Sequence, residues 1–326
     1  MPLFGRRSKA ERTRIFFTSD VHGSERCFLK FLNAARVYDA QVLVIGGDLT
    51  GKVMVPLLAS GDGGYEADVF GERRIARDEA GTRELEHVVR MNGMYPHRMT
   101  RSEYELLAGD ETLRQQTFQR VMLDNFDRWL ALAEERLQGT GVRCLILPGN
   151  DDELDLDGVY AGHPGVINPE GQVVELAPGL EAIATGYVNR TPWNAPRDVS
   201  EEELSERIDA MVREMSDPAH GIFFFHAPPY NTPIDQAPLL NPDMSVRFAG
   251  AHQLMGPAGS QAVRRTIEAY QPIAALHGHI HESRGAHRLG RTLCINPGSE
   301  YSEGVLHGAI VDVADGALQT YKLLAG

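Results

Sequence analysis

The sequence is poor in cysteine and in long apolar runs. Its 326 residues include three cysteines, Cys27, Cys144 and Cys294, which disfavours a disulfide-stabilised secreted fold. No stretch approaches the roughly 20 apolar residues of a membrane-spanning helix. The basic N-terminus, MPLFGRRSKAERTR, is not followed by the apolar region of a secretory signal. We therefore expect a cytoplasmic protein with buried, reduced thiols and no membrane contact.

Positive charge is also scarce. Lys and Arg number 32 against 45 Asp and Glu, which gives a net charge of −13. This balance disfavours a broad electrostatic surface for nucleic acid. A nuclease would need a local basic strip beside its site, such as Arg73, Arg74 and Arg77. An acidic protein can still bind phosphate through cations that it holds locally, so we expect a small phosphorylated substrate.

Short apolar runs recur along the chain, and most end in a polar residue or glycine. Rich in Ile, Val, Leu and Phe, they are typical of strands covered on both faces. They are RIFFTSD, QVLVIGGD, VRCLILPGND, GIFFFHAPP, PIAALHGHIH, RTLCINPGS and GAIVDV. Helical patterns lie between several of them, namely ERCFLKFLNAARV, SEEELSERIDAMVREM and AVRRTIEAY. This alternation of strands and helices predicts an α/β fold.

The interval 51–141 lacks this alternation. It begins with a glycine-rich piece and continues with helical patterns, the longest at about 111–138. The apolar spacing of that segment is typical of ordinary helix packing. We predict one domain over 1–326 with a helical insertion at 51–141. The insertion would form a cap or a surface for a homo-oligomer.

Polar residues cluster where the predicted strands end, and in open α/β sheets sites form outside the carboxyl ends of strands. These residues are Asp20, His22, Asp48, Asn150, His226, His279 and His281. Residues two apart in extended chain point the same way, so Asp20 and His22, like His279 and His281, can share a target. Neutral imidazole with carboxylate suits Zn, Mn, Fe or Ni. Seven ligands exceed the need of one tetrahedral ion and match two ions about 3.5–4 Å apart with a bridging carboxylate.

In order, the segments SDVHG, GGDLTG, PGNDD, FFHAPP and HGHIH resemble the motifs of the calcineurin-like metallophosphoesterases. That family's pattern is D-x-H, G-D, G-N-H-[DE], a later H and G-H-x-H. The resemblance runs from Ile15 to about Ser299, and NPGS at 296–299 is similar to a segment of the prokaryotic phosphodiesterase branch. It implies a four-layer α/β/β/α sandwich with the site in the loops above the sheets.

The resemblance also implies two divalent metal ions bridged by Asp48. One ion would be held by Asp20, His22, Asp48 and His281, and the other by Asp48, Asn150, His226 and His279. The ligand set accepts Mn, Fe, Zn or Ni, and we favour Mn. Two dications lower the pKa of a bridging water, so hydroxide can form near neutral pH and attack phosphorus. The predicted enzyme is a phosphoesterase that prefers diesters to monoesters.

Asp151 departs from the family pattern, because it stands where a histidine usually protonates the leaving oxygen. With a reference pKa of about 3.9, lowered further by nearby dications, Asp151 is expected to be ionised. Three outcomes stay open. The substrate has a good leaving group; another residue donates the proton, with His252, His307 and Tyr230 as candidates; or the chain is a weak or inactive binding module.

Five further residues have two interpretations each. Asp152 matches the family's following acid and would orient a ligand such as His22, or else cap a turn. Arg190 with Asn189, and separately Lys52, would bind substrate phosphate or lie in ordered surface loops. Asp235 would brace His226 or cap its own loop.

Overall fold

The computed structural model describes residues 12–61 and 63–326, so the basic segment at 1–11 lies outside it. The described chain is a mixed α/β structure. Its α-helices are α1 Glu25–Val37, α2 Glu79–Met91, α3 Arg101–Gly109, α4 Glu111–Leu137, α5 Leu156–Val159, α6 Glu201–Glu214 and α7 Gln261–Tyr270. Within the described residues, no helix has both the length and the apolar character needed to cross a bilayer.

The strands, in chain order, are β1 Thr13–Thr18, β2 Val42–Gly46, β3 Met54–Ala59, β4 Tyr65–Val69, β5 Glu72–Ala76, β6 Tyr95–Met99, β7 Arg143–Leu147, β8 Val173–Ala177, β9 Leu180–Thr185, β10 Val188–Asn189, β11 Asp198–Val199, β12 Ile222–Phe225, β13 Gln236–Pro238, β14 Phe248–Ala249, β15 His252–Gln253, β16 Met255–Pro257, β17 Ala274–Leu276, β18 Gly285–Leu289, β19 Thr292–Asn296, β20 His307–Ala314 and β21 Ala317–Ala325. The seven strands predicted from apolar runs are all present, as β1, β2, β7, β12, β17, β19 and β20.

Two large sheets contain most of these strands. The first has the order β21-β20-β1-β2-β7, and the second has the order β18-β19-β17-β12-β9-β8. In the first sheet β1, β2 and β7 run parallel. In the second sheet β19, β17, β12 and β9 run parallel. Parallel strands present their carboxyl ends at one edge of a sheet, so the residues that follow them are gathered there.

The two sheets pack on each other through apolar side chains. Phe17 of β1 stacks on Phe224 of β12, with ring centroids 5.9 Å apart and planes 6° apart. The other face of the first sheet packs against α1 and α4, and that of the second against α6 and α7. The central strands β1, β2, β12 and β17 are therefore covered on both faces, as their continuous apolar runs predicted.

The apolar faces of the predicted helices pack in the core. Phe28 of α1 stacks on Trp129 of α4 at a centroid distance of 4.2 Å, and both side chains are buried. The helix predicted at about 111–138 is α4, and its stripe lies in the main core. The helix α6 is capped by Ser200, whose hydroxyl accepts a hydrogen bond from the N–H of Glu203.

The interval 51–141 contains more strand than its sequence predicted. Beside α2, α3 and α4 it holds a four-stranded sheet of order β5-β4-β3-β6. Of these strands, β4 (YEADV) and β5 (ERRIA) carry several charged residues and lack an apolar run, whereas β3 (MVPLLA) is apolar but contains Pro56. A separate small core, including Val55, Leu57 and Val89, joins this sheet to α2. The part of the interval with its own core is therefore shorter than 51–141, because α4 packs in the main core.

Candidate metal centre

The predicted ligands lie in the loops that follow the parallel strands. Asp20 and His22 follow β1, Asp48 follows β2 and Asn150 follows β7 in the first sheet. His226 follows β12, and His279 and His281 follow β17, in the second sheet. Both sheets thus direct residues toward one place, as the position of the motifs in the sequence indicated.

Four of the seven predicted ligands have left-handed backbone conformations that non-glycine residues rarely adopt. Their φ angles are 57° for Asp20, 40° for His22, 52° for Asp48 and 67° for His279. Such conformations cost on the order of 1–3 kcal/mol each and persist where the surrounding structure enforces them. Here the N–H of Asp20 donates to the carbonyl of Gly47 at 2.9 Å, and that of His22 to the carbonyl of Asp48 at 3.0 Å.

Two glycines allow the loops that carry the ligands to approach closely. A Cβ at Gly149 would lie 2.2 Å from Oδ1 of Asp48, and one at Gly278 would lie 2.4 Å from Oδ2 of Asp20. Any larger residue at either position would displace a predicted ligand. The glycines beside the motifs are therefore part of the geometry of the site.

The first group of donor atoms comes from Asp20, His22 and His281. Its members place one donor atom each within 4.8 Å of the others. The Nε2 atoms of His22 and His281 are 3.2 Å apart, and Nε2 of His281 lies 3.3 Å from Oδ1 of Asp20. The carboxylate of Asp20 also accepts the backbone N–H of His279 at 3.0 Å, which fixes its orientation.

The second group comes from Asp48, His226 and His279, whose donor atoms also lie within 4.8 Å of one another. Asp48 joins the two groups. Its Oδ1 is 3.3 Å from Nε2 of His226, whereas its Oδ2 is 3.6 Å from Nε2 of His22. One carboxylate therefore offers a separate oxygen to each group.

Asn150 and His226 each have a buried atom that could bind a metal ion and that lacks a hydrogen-bond partner. These atoms are Oδ1 of Asn150 and Nε2 of His226. Nδ2 of Asn150 donates to Asp198 at 3.1 Å, so the amide oxygen points elsewhere. Nδ1 of His226 lies 2.8 Å from the carbonyl of Gly46, which leaves Nε2 as the nitrogen that would bind a metal ion. Buried polar atoms without a partner are rare, and a metal ion would satisfy both.

In the metal-free protein, the carboxylates and imidazoles of the two groups shift one another's pKa values. Burial opposes ionisation of Asp20 and Asp48, but the neighbouring imidazoles outweigh it and hold the pKa of each carboxyl below its usual value. Burial lowers the pKa of His226, but Asp48 and Asp20 outweigh it and raise that pKa to about 9. Burial and the nearby His226 lower the pKa of His279 to about 4, so its imidazole is neutral and able to bind a metal.

Asp151 lies at the edge of the groups and is paired with Lys52. Nζ of Lys52 is 3.1 Å from Oδ1 of Asp151 and donates to its carbonyl oxygen at 2.6 Å. The N–H of Asp151 donates to Oδ1 of Asp48 at 3.1 Å. Without metal ions, burial and the Asp48 carboxylate raise the pKa of Asp151, and Lys52 opposes the rise. The lower pKa of Asp151 that the sequence predicted requires the two dications. Their positive charge would oppose the rise in this pKa.

Asp152 holds a loop rather than a metal ligand. Its buried carboxylate accepts hydrogen bonds from the N–H groups of Leu49, Thr50 and Gly149, and from the Thr50 hydroxyl. The expected contact with His22 is not among these bonds, because the turn after Asp48 presents its own donors to the carboxylate. Asp152 thus joins the loops that carry Asp48 and Asn150.

The remaining candidates lie apart from the two groups. The Asp235 carboxylate accepts the N–H groups of Asn231, Thr232 and Gly259, so it caps its own loop. His252 is exposed on β15, and Nε2 of His307 faces Glu300 at 3.3 Å.

Two residues near the ligands have no motif of their own and were missed. The ring of Tyr301 lies 4.6 Å from that of His22, and Asp198 orients the Asn150 amide. Both lie far in sequence from the ligands that they contact, and only the folded chain brings them to the site.

No family model matches the chain. The uncharacterised protein MJ1162 of Methanocaldococcus jannaschii is 30% identical over 159 residues, which cover 48% of this chain and 64% of that protein. The match therefore spans less than two thirds of the relative's length.

The fold is similar to those of solved structures. One crystal structure aligns with 96% of this chain and 99% of its own, at a TM-score of 0.55 and 15% identity. The protein TT1561 of Thermus thermophilus aligns over 97% of this chain and 99% of its own, at a TM-score of 0.51 and 14% identity. Likeness at this level of identity shows a shared fold and nothing about activity.

Proposed function

We propose that this protein is a phosphoesterase that uses two divalent metal ions and hydrolyses diesters in preference to monoesters. The position of Asp48 carries the proposal. Its two carboxylate oxygens lie 3.3 and 3.6 Å from imidazoles that belong to different groups of donors. A carboxylate between two sets of imidazole and carboxylate ligands suits a pair of ions that share one bridging residue.

The donor set fits the proposed ions. Asp20, His22 and His281 would hold one, and His226, His279 and the free amide oxygen of Asn150 would hold the other, with Asp48 shared. When bound, two such ions lower the pKa of a water and neutralise phosphate charge. The protein contributes fixed ligands, since Gly46 holds the His226 ring and Asp198 holds the Asn150 amide. In a chain of net charge −13, local cations would also make an anionic substrate acceptable.

The wider proposal includes the family's layered architecture. In this proposal, the two large sheets and their flanking helices form the α/β/β/α sandwich of the calcineurin-like metallophosphoesterases. The small sheet with α2 would then be the cap. Preference for Mn, location in the cytoplasm and self-association through the insertion stay predictions.

Reconstitution tests the function. The protein is stripped of metal, loaded separately with Mn²⁺, Ni²⁺, Co²⁺ or Zn²⁺, and assayed on bis(p-nitrophenyl) phosphate and p-nitrophenyl phosphate. We expect hydrolysis with at least one ion and a higher kcat/KM for the diester. Asp48→Asn should abolish it, and the matched substitution Asp209→Asn on α6 should not. Two bound ions without hydrolysis of either ester would instead indicate a binding module.

A further inference from the structure

A cleft of about 730 Å³ opens beside Lys52, between the chain after Asp48 and the helix α4. Lys52, Val53 and Met54 form one wall, and Phe118 and Met122 of α4 lie in the other. A volume of this size falls in the range of roughly 300–1,000 Å³ that is typical of sites for small organic ligands. The cleft is separate from the donor atoms themselves.

The lining of the cleft combines apolar surface with hydrogen-bonding groups. Phe118 is half-buried, and its ring lies 6.0 Å from that of Tyr95. Gln115, Gln119 and Arg114 of α4 also line the cleft. Glu153 completes the lining, so the apolar wall is bordered by amides and charged groups and is suited to an organic group that has a flat face and polar edges.

Lys52 connects the cleft with the metal centre. Its Nζ contacts both the carboxylate and the carbonyl of Asp151, whose N–H in turn donates to Asp48. Asp151 thus links the Lys52 ammonium to Asp48, whose carboxylate the two donor groups share. It is also the residue that the cleft and this pair have in common.

We propose that the cleft binds the organic part of the leaving alcohol of a phosphoester, and that Lys52, positioned by Asp151, stabilises the leaving oxygen. The proposal rests on the phosphoesterase function proposed above. It also accounts for the absence of histidine at position 151, because an ammonium held at the same edge of the site supplies the stabilising charge. The favoured substrates are esters of alcohols with an apolar ring, rather than of small aliphatic alcohols.

The bond changes are those of a displacement at phosphorus. The oxygen of water forms a bond to phosphorus, and the bond from phosphorus to the leaving oxygen breaks with its electron pair. The leaving oxygen gains negative charge, toward which the Lys52 ammonium donates a charge-assisted hydrogen bond. The attacking water releases a proton to solvent and the leaving alcohol takes one from solvent, so protons balance and Lys52 stays an ammonium throughout.

The first test varies the leaving group in the metal-loaded protein. Lys52→Met should lower kcat/KM for methyl phenyl phosphate about 10-fold more than for methyl p-nitrophenyl phosphate, because the poorer leaving group needs more stabilisation. Lys52→Arg keeps the charge and should recover most of the loss. Lys322→Met, an exposed lysine on β21, is the matched control. Equal losses on both esters, or none, would overturn the role of Lys52.

The second test fills the cleft. Val53 is 50% exposed, so Val53→Trp should fold and occupy the cleft, while Ile75→Trp, at 59% exposure on β5, is the control. We expect Val53→Trp to raise KM for methyl naphthyl phosphate about 10-fold and to leave methyl trifluoroethyl phosphate nearly unchanged. Equal effects on both esters would refute the cleft as the site of the leaving group.

A binding measurement separates this inference from the function on which it rests. Naphthol fluorescence reports binding to the metal-free protein, where no turnover occurs. Naphthol should bind the wild type and the Ile75→Trp variant, and Val53→Trp should weaken binding about 10-fold. Hydrolysis without naphthol binding would overturn the cleft proposal alone. Naphthol binding without hydrolysis under any metal would overturn the phosphoesterase proposal and, with it, the role of Lys52.

Discussion

Replacing Asp152 by alanine should both destabilise the protein and loosen its metal centre. The side chain is fully buried, at 0% exposure, and accepts hydrogen bonds from three backbone N–H groups and one hydroxyl. Two of its donors, Leu49 and Gly149, directly adjoin Asp48 and Asn150. The substitution would leave these donors buried without an acceptor and would free both loops.

The size of the effect follows from the donors left behind. Each buried donor without a partner costs about 1–3 kcal/mol, so three backbone groups alone give roughly 3–9 kcal/mol. Removing a buried carboxylate recovers part of this cost, because the charge no longer has to be desolvated. We therefore expect the free energy of unfolding to fall by about 3–5 kcal/mol, which corresponds to a drop in Tm on the order of 10 °C.

Thermal and urea unfolding of the metal-free protein measure the loss of stability, and titration with Mn²⁺ measures the loosening of the site. Glu153→Ala is the matched control, since the neighbouring side chain is exposed. It should change the free energy of unfolding by less than about 0.5 kcal/mol. An Asp152→Ala variant within about 1 kcal/mol of the wild type, with unchanged Mn²⁺ affinity, would refute the role given to this carboxylate.

Three further predictions follow from individual groups. Burial raises the pKa of Glu170 to about 7. Because the native protein then holds this proton more tightly than the unfolded chain does, the free energy of unfolding should fall as pH rises from about 4.5 to 7. Glu170→Gln should flatten this pH dependence, measured by urea unfolding of the metal-free protein. Asn150→Ala should lower the metal content by about one ion per chain, measured by plasma mass spectrometry, whereas a loss of neither ion would contradict its assignment. The three cysteines are buried with raised thiol pKa values, so they should react with a thiol reagent only after denaturation.

The sequence was most informative at the ends of the buried strands. There the apolar runs predicted both the strands and the position of the polar residues that follow them. Continuous apolar runs predicted β1, β2 and β12, because strands covered on both faces leave no polar face to interrupt the run. The polar residues just beyond them were predicted to meet, and Asp48 and His226 do lie together, with donor atoms 3.3 Å apart. Each sheet gathers the residues that follow its parallel strands at one edge, and the packing of the two sheets brings these two edges together.

Other features depend on contacts that no local pattern records. In the small sheet of the insertion, β4 and β5 carry charged residues and pair only within that sheet, so no apolar run revealed them. The acceptor role of Asp152 depends on where the turn at Leu49 and Thr50 directs its N–H groups. The pairing of Lys52 with Asp151 joins residues 99 apart in sequence. In each case the partner is set by the tertiary structure rather than by spacing along the chain.

The central claim is that Asp48 bridges two metal ions, and crystals soaked in Mn²⁺ test it most directly. Anomalous scattering locates Mn²⁺ without reference to any expected ligand. If Asp48 bridges two ions, we expect two anomalous peaks about 3.5–4 Å apart, one on each side of its carboxylate, with Asn150 and His226 beside one and His281 beside the other. A single peak, or two peaks that do not share Asp48, would show that Asp48 is not a bridging ligand.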